Sequence, residues 1–201
     1  MLTSLPNLLT LSRIAAIPLV VATFYMASPA GPWLGCFIFS LAGLTDWLDG
    51  KVARAWSQQS ELGMFLDPVA DKLLVATTLF MLAAFDRFSD FTTFPALVIL
   101  MREILVSGLR EHLARMQVRM PVSKLAKWKT FIQLLAIGVL LVGDAGPSWL
   151  PVRIIGEAML WCAAVLTVKT GYDYLHAGLI HLSRPVPQPP SIKTAHPGKA
   201  A

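Results

Sequence analysis

Four aspartates stand at fixed spacing in a chain that is otherwise apolar: Asp46-x2-Asp49-Gly50-x2-Ala53-Arg54-x8-Gly63-x3-Asp67-x3-Asp71. A carboxylate at a bilayer centre costs roughly 2.5–3.5 kcal/mol on insertion scales, so a cluster of them in a greasy context marks a functional site. On a helix, positions 46, 49, 50 and 53 share one face, and 67 and 71 stack one turn apart on another. Two such faces brought together form a pocket of four carboxylates and two small residues. Hard divalent cations bind carboxylate oxygens, and such cations in turn bind phosphate oxygens. A polar network with Lys51, Arg54 and Lys72 as ion-pair partners is the competing reading, and the residues alone leave both open. Gly50 and Ala53 permit close approach of a ligand to the helix backbone or of another helix. Arg54, beside them, suits a phosphate or an aspartate.

The elements that position these groups are membrane helices. The 201 residues are 55% hydrophobic and 14% charged, with mean hydropathy +0.61, whereas an ordinary soluble domain carries about 25% charge. Six spanning helices of the roughly 20 residues that a bilayer requires can be drawn in one bundle. They run from Leu5 to Met26, from Trp33 through Leu48 and on toward Arg54, and from Gly63 to Phe85. The others run from Phe94 to Met116, Ser123 to Val142 and Pro151 to Leu182. Ser4 is placed to cap the first, with Pro6 in its first turn and Pro18 at a potential kink. Residues 1–183 make the transmembrane domain. Residues 184–201, with five prolines and little apolar content, read as a disordered cytoplasmic tail.

Charge asymmetry orients the bundle. Arg110, Arg115, Arg119, Lys124, Lys127 and Lys129 surround the connection between helices four and five, and Lys51 and Arg54 the connection between two and three. The tail adds Arg184, Lys193 and Lys199, while the opposite side offers Arg87 and Arg153. Both termini and the aspartates are therefore expected on the cytoplasmic side. The same rule accounts for the net charge of +5 without any nucleic-acid partner. Trp33, Trp149, Tyr172 and Tyr174 fit interfacial belts. Cys36 and Cys162 read as buried small hydrophobes. Glu157 and Asp173 are candidate partners for Arg153 and Lys169.

The constellation Asp46, Asp49, Gly50, Ala53, Arg54, Gly63, Asp67 and Asp71 resembles the signature of the CDP-alcohol phosphotransferase family at every fixed position. The surrounding Asn7-Leu8-Leu9-Thr10-Leu11-Ser12-Arg13, Phe65-Leu66-Asp67-Pro68-Val69-Ala70-Asp71-Lys72, Arg102-Glu103-Ile104 and Lys127-Trp128-Lys129-Thr130 are most similar to its bacterial phosphatidylglycerophosphate synthase branch. The resemblance covers about Pro6 to Leu182. It implies a six-helix membrane homodimer in the bacterial inner membrane. The implied reaction moves a phosphatidyl group from CDP-diacylglycerol to sn-glycerol 3-phosphate and releases CMP. It further implies two divalent ions, Mg²⁺ or Mn²⁺, on Asp46, Asp49, Asp67 and Asp71, with Asp71 as the base. Thr45, Gly50, Ala53, Arg54 and Gly63 are the expected nucleotide-lipid contacts.

The acceptor phosphate needs cations that the aspartates do not supply. Arg102, Arg110, Lys127 and Lys129 stand at the cytoplasmic ends of helices four and five, on the appropriate side. Each could instead anchor the bundle to anionic lipid, worth about 1 kcal/mol apiece, and Glu103 or Glu111 could pair with Arg102. Asn7, Thr10 and Arg13 put polarity on helix one, either for interhelical hydrogen bonds or behind the active site. Related enzymes that use phosphatidylglycerol (cardiolipin synthases), inositol phosphate or serine, and a cation-coupled transporter, are the alternatives. The transporter lacks support, because no internal repeat is visible.

Overall fold

A computed structural model of the chain describes residues 5–56, 61–116 and 124–182, with the side chains at 5–6, 46–56, 61–62, 64–65, 115, 124 and 180–182 outside that description. Six helices carry it: α1 (Leu5–Phe24), α2 (Ala30–Trp56), α3 (Glu61–Ala84), α4 (Thr93–Arg115), α5 (Lys124–Val142) and α6 (Val152–Leu182). Short 3-10 turns at Asp90–Thr92 and Gly143–Ala145 precede α4 and follow α5. There is no strand among the described residues. The helix drawn from Trp33 begins earlier, at Ala30, because Pro32 sits in a first turn, where its missing N–H is harmless. Ser28 supports that start by accepting the amide of Ala30 at 3.2 Å. Ser4 and the tail from 184 to 201 lie outside the described residues.

Helix ends follow local chemistry. α3 closes in a Schellman arrangement, in which Arg87 N–H donates to the Leu82 carbonyl at 2.9 Å and Asp86 N–H to that of Ala83 at 3.2 Å. Asp86 takes the left-handed conformation this stop requires, with φ 51°. At the start of α2, a Cβ placed on Gly35 would fall 2.6 Å from Thr23 Oγ1. Only a residue without a side chain lets α1 and α2 approach so closely there.

The distribution of polarity is that of a membrane bundle. Asn7, Thr10, Arg13, Lys129, Gln133, Thr167 and Thr170 are buried, while Phe37, Phe80, Ile104, Phe131 and Val165 point outward. A water-soluble bundle would expose the first set and bury more of the second. The core between them is apolar, built around Val20, Phe39, Leu74, Leu82, Ile99, Ile137, Leu140 and Leu160. Among the described residues, three helical segments are long and apolar enough to cross a bilayer: Asn7–Phe24, Asp90–Ala114 and Leu125–Ala145. α2 contributes a shorter apolar stretch, Ala30–Thr45. α3 carries Asp67, Asp71 and Lys72, and α6 carries Arg153, Glu157, Lys169 and Asp173.

α5 packs most extensively on α6, α1 against α2 and α3, and α4 against α6. α3 meets α4 and α5 more sparingly, and a cavity opens between them. At the far end of the bundle, Glu157 accepts hydrogen bonds from Ser89 N–H (2.9 Å), Ser89 Oγ (2.6 Å), Thr92 Oγ1 (2.7 Å) and Arg153 Nε (3.3 Å). The expected Glu157–Arg153 pair is thus present. Two surface expectations need correction. Tyr174 is buried at 7% exposure rather than in an interfacial belt, because it packs under Arg102. Cys162 is an exposed free thiol, since its side of α6 faces away from the core.

Candidate active site

Asp67 and Asp71 lie one turn apart on α3, and each is half-buried. Asp67 is tied to the first helix, where Thr10 Oγ1 donates to Asp67 Oδ1. Thr10 can do so because Asn7, Thr10 and Arg13 fall at three-residue intervals along the buried face of α1, which packs on α3. The polarity noted on helix one therefore stands behind the aspartates. Lys72, considered as an ion-pair partner for them, turns back along its own helix. Its Nζ donates to the Pro68 carbonyl at 2.8 Å, and it forms no ion pair among the described residues.

Asp71 lines a cavity of about 170 Å³ between α3, α4 and α5 that is also lined by Glu103, Lys129 and Gln133. Lys129 and Gln133 are one turn apart on α5 and both are 3% exposed. Lys129 Nζ makes an ion pair with Glu103 Oε1. The same carboxylate oxygen accepts from Arg102 Nη1 at 3.3 Å, so Glu103 bridges two cations. Arg102 is held on its other side by α6: Nη2 donates to Thr170 Oγ1 at 3.0 Å, and the guanidinium lies 5.8 Å from the centroid of the Tyr174 ring. Arg102 stands behind Glu103, so the cavity wall itself carries two carboxylates, Asp71 and Glu103, and two ammonium groups, Lys72 and Lys129. Of these, Lys129 is the buried cation available to an anionic acceptor.

Of the four basic residues expected to hold an acceptor phosphate, Arg102 and Lys129 converge through Glu103, and only Lys129 lines the cavity. Arg110 and Lys127 are exposed and do not line it. Among the nucleotide-lipid candidates, Gly63 is buried near the start of α3, and Thr45 Oγ1 donates to the Ala42 carbonyl of its own helix at 2.8 Å. Asp46, Asp49, Gly50, Ala53 and Arg54 fall on the last turns of α2, and their side chains lie outside the described residues. The sequence marks Glu103 only as a partner for Arg102, and nothing in its motifs points to Gln133. A lone glutamine within an apolar helix was the available signal.

For metal, the described donors are carboxylate oxygens one helical turn apart, a chemistry suited to hard divalent ions. No group of three metal-binding side chains occurs among the described residues, as expected when Asp46 and Asp49 fall outside them.

Comparison with known proteins places this geometry in context. Residues 3–169 match the family model described as CDP-alcohol phosphatidyltransferase. A protein of Rickettsia bellii (strain RML369-C) named CDP-diacylglycerol–glycerol-3-phosphate 3-phosphatidyltransferase is 48% identical over 174 residues, covering 87% of this chain and 94% of its own. Proteins of the same name from Pectobacterium atrosepticum and Cereibacter sphaeroides are 42% and 36% identical, covering 90% and 89% of this chain and 98% and 97% of theirs. A family match over residues 3–169, together with relatives up to 48% identical over most of the chain, establishes that the chain belongs to the CDP-alcohol phosphatidyltransferase family.

Proposed function

We propose that this enzyme transfers the phosphatidyl group from CDP-diacylglycerol to sn-glycerol 3-phosphate, giving phosphatidylglycerol phosphate and CMP for phospholipid synthesis. The relatives' shared name supports the reaction. The observation that carries it onto this chain is the single cavity faced by both Asp71 and the buried Lys129. An acceptor with a hydroxyl at one end and a phosphate at the other fits that pair of charges.

The primary hydroxyl oxygen of the acceptor attacks the phosphorus that bears diacylglycerol, and the bond from that phosphorus to the CMP oxygen breaks. The hydroxyl has a high pKa, so its proton must leave as attack proceeds, and the Asp71 carboxylate takes it. Thr10 fixes the rotamer of Asp67 beside it. Asp46, Asp49, Asp67 and Asp71 would hold two divalent ions, Mg²⁺ or Mn²⁺, whose contribution when bound would be to offset negative charge on the donor and on departing CMP. Thr45, Gly50, Ala53, Arg54 and Gly63 line the nucleotide pocket. Lys129 receives the acceptor phosphate at the cavity, with Arg102 behind it through Glu103, and Arg110 and Lys127 draw it in from the cytoplasmic side.

In this reading residues 1–183 form a six-span bundle in the bacterial inner membrane, paired as a homodimer, with both termini and the active site cytoplasmic. Residues 184–201 are its cytoplasmic tail. The test is purified protein given labelled CDP-diacylglycerol with glycerol 3-phosphate, phosphatidylglycerol, inositol phosphate or serine in turn. CMP release and lipid product with glycerol 3-phosphate alone are expected. Preference for another acceptor would overturn the assignment. Asp71→Asn should abolish CMP release while retaining CDP-diacylglycerol binding, and near-normal turnover would remove Asp71 as the base.

A further inference from the structure

Gln133 is the least explained side chain of the cavity. It is 3% exposed, and its Oε1 has no hydrogen-bond partner among the described residues. Buried amide oxygens without partners are rare in native proteins, and each calls for a physical reason. Val75, Ala76, Leu100 and Leu134 of the cavity wall offer no side-chain donor. The wall's donor-bearing members Lys72, Lys129 and Thr130 are bonded to the Pro68 carbonyl, to Glu103 and to the Ala126 carbonyl. The cavity itself, at about 170 Å³, far exceeds the roughly 10–15 Å³ that admits one water. Gln133 lines that cavity while its oxygen is itself buried, so a turn of the amide would present this acceptor to a hydroxyl donor brought by a ligand.

Its position says which hydroxyl. Lys129, one turn earlier on the same face of α5, carries the positive charge, and Asp71 faces the same cavity from α3. We infer that Gln133 is a specificity-determining residue that accepts a hydrogen bond from the hydroxyl adjacent to the attacking one. The site thereby recognises a phosphorylated vicinal diol rather than a phosphorylated simple alcohol. The inference rests on glycerol 3-phosphate as acceptor. With the phosphate at Lys129 and the primary hydroxyl at Asp71, the middle hydroxyl is the group left to satisfy Gln133. A site built to bond a hydroxyl also rejects the analogue lacking it, because its own buried polar atom is then left unpaired.

The experiment compares sn-glycerol 3-phosphate with 3-hydroxypropyl phosphate, which keeps the primary hydroxyl and the phosphate but lacks the middle hydroxyl. CMP release is measured on the full chain in detergent with CDP-diacylglycerol and metal. Wild-type protein should favour glycerol phosphate by about 100-fold in kcat/KM. Gln133→Met, of similar volume without the oxygen, should bring that ratio to within about threefold of unity, mainly by losing glycerol phosphate turnover. Gln133→Glu, which still accepts a hydrogen bond, should keep the preference even as KM rises for both acceptors. Should Gln133→Met fail to fold, Gln133→Asn withdraws the oxygen by one methylene and should cut the ratio at least tenfold. No preference in the wild type, or equal losses on both acceptors in the variants, overturns the inference. Failure of glycerol phosphate to support CMP release while another acceptor does so would instead overturn the proposed reaction.

Discussion

Lys129 on α5 and Glu103 on α4 form an ion pair inside the bundle, with side-chain exposures of 4% and 23%. The lysine is the deeper partner, so the glutamate matters chiefly as its counter-charge. Removing one member of a buried pair costs about 3–5 kcal/mol, because the other charge is left unpaired. Glu103→Ala should therefore lower the thermal midpoint in detergent sharply and disorganise Arg102 as well. The double variant Glu103→Leu with Lys129→Met should recover most of that stability while remaining unable to use glycerol phosphate. An unchanged midpoint in Glu103→Ala would contradict the pairing.

Thr10 and Asp67 are 57 positions apart in the chain and joined by a hydrogen bond. Thr10→Val keeps the shape of the side chain and removes the donor. Interhelical hydrogen bonds in membranes average about 0.6 kcal/mol, so stability should fall by less than about 1 kcal/mol. Function should suffer more, because Asp67 loses the group that orients it. The expected result is a several-fold rise in the Mg²⁺ concentration for half-maximal CMP release, with the KM for glycerol phosphate unchanged. A pure loss of stability with the same metal requirement would make the bond a packing feature only.

Much of this arrangement is legible in the sequence. Gly143, Pro147 and the polar run from Asp86 to Asp90 break the chain where α5 and α3 end, because turn residues are punctuation whatever the tertiary context. The pairing of Asp67 with Asp71 follows from helix geometry alone. The wiring of the basic residues does not. Arg102, Arg110, Lys127 and Lys129 are equivalent by composition and position. What separates them is which face of α4 meets α6 and which face of α5 meets α3. Gly171, far along the chain, makes the bed for Arg102. Gln133 is polar in an apolar helix, but its free oxygen matters only once α3 is known to stand across a cavity from it.

That bed gives a controlled comparison. A Cβ on Gly171 would fall 2.9 Å from Arg102 Cγ and 3.2 Å from its Nε. A Cβ on Gly178, two turns further along the same helix, would fall 2.7 Å from Leu109 Cδ2. Both Gly171→Ala and Gly178→Ala overpack the α4–α6 seam, at about 1–3 kcal/mol each. Only the first displaces a residue of the acceptor site. Gly171→Ala should raise the KM for glycerol phosphate about tenfold, whereas Gly178→Ala should lower the thermal midpoint alone. Equal kinetic effects would show that Arg102 placement is not what Gly171 provides.

Glu157 tests the far end of the bundle, where function should be insensitive. Its carboxylate gathers Ser89, Thr92 and Arg153 and so ties the connection before α4 onto α6. Glu157→Ala leaves partly buried donors without an acceptor and should cost about 2–3 kcal/mol. Glu157→Gln, which retains one acceptor oxygen, should cost less. Residue 157 lies thirteen positions from Thr170, roughly 20 Å along the helix axis, so the folded fraction should turn over at the wild-type rate. Thermal unfolding paired with CMP release per folded molecule reads both quantities. A fall in specific activity would mean that this clamp transmits to the catalytic cavity and is not a local fastening.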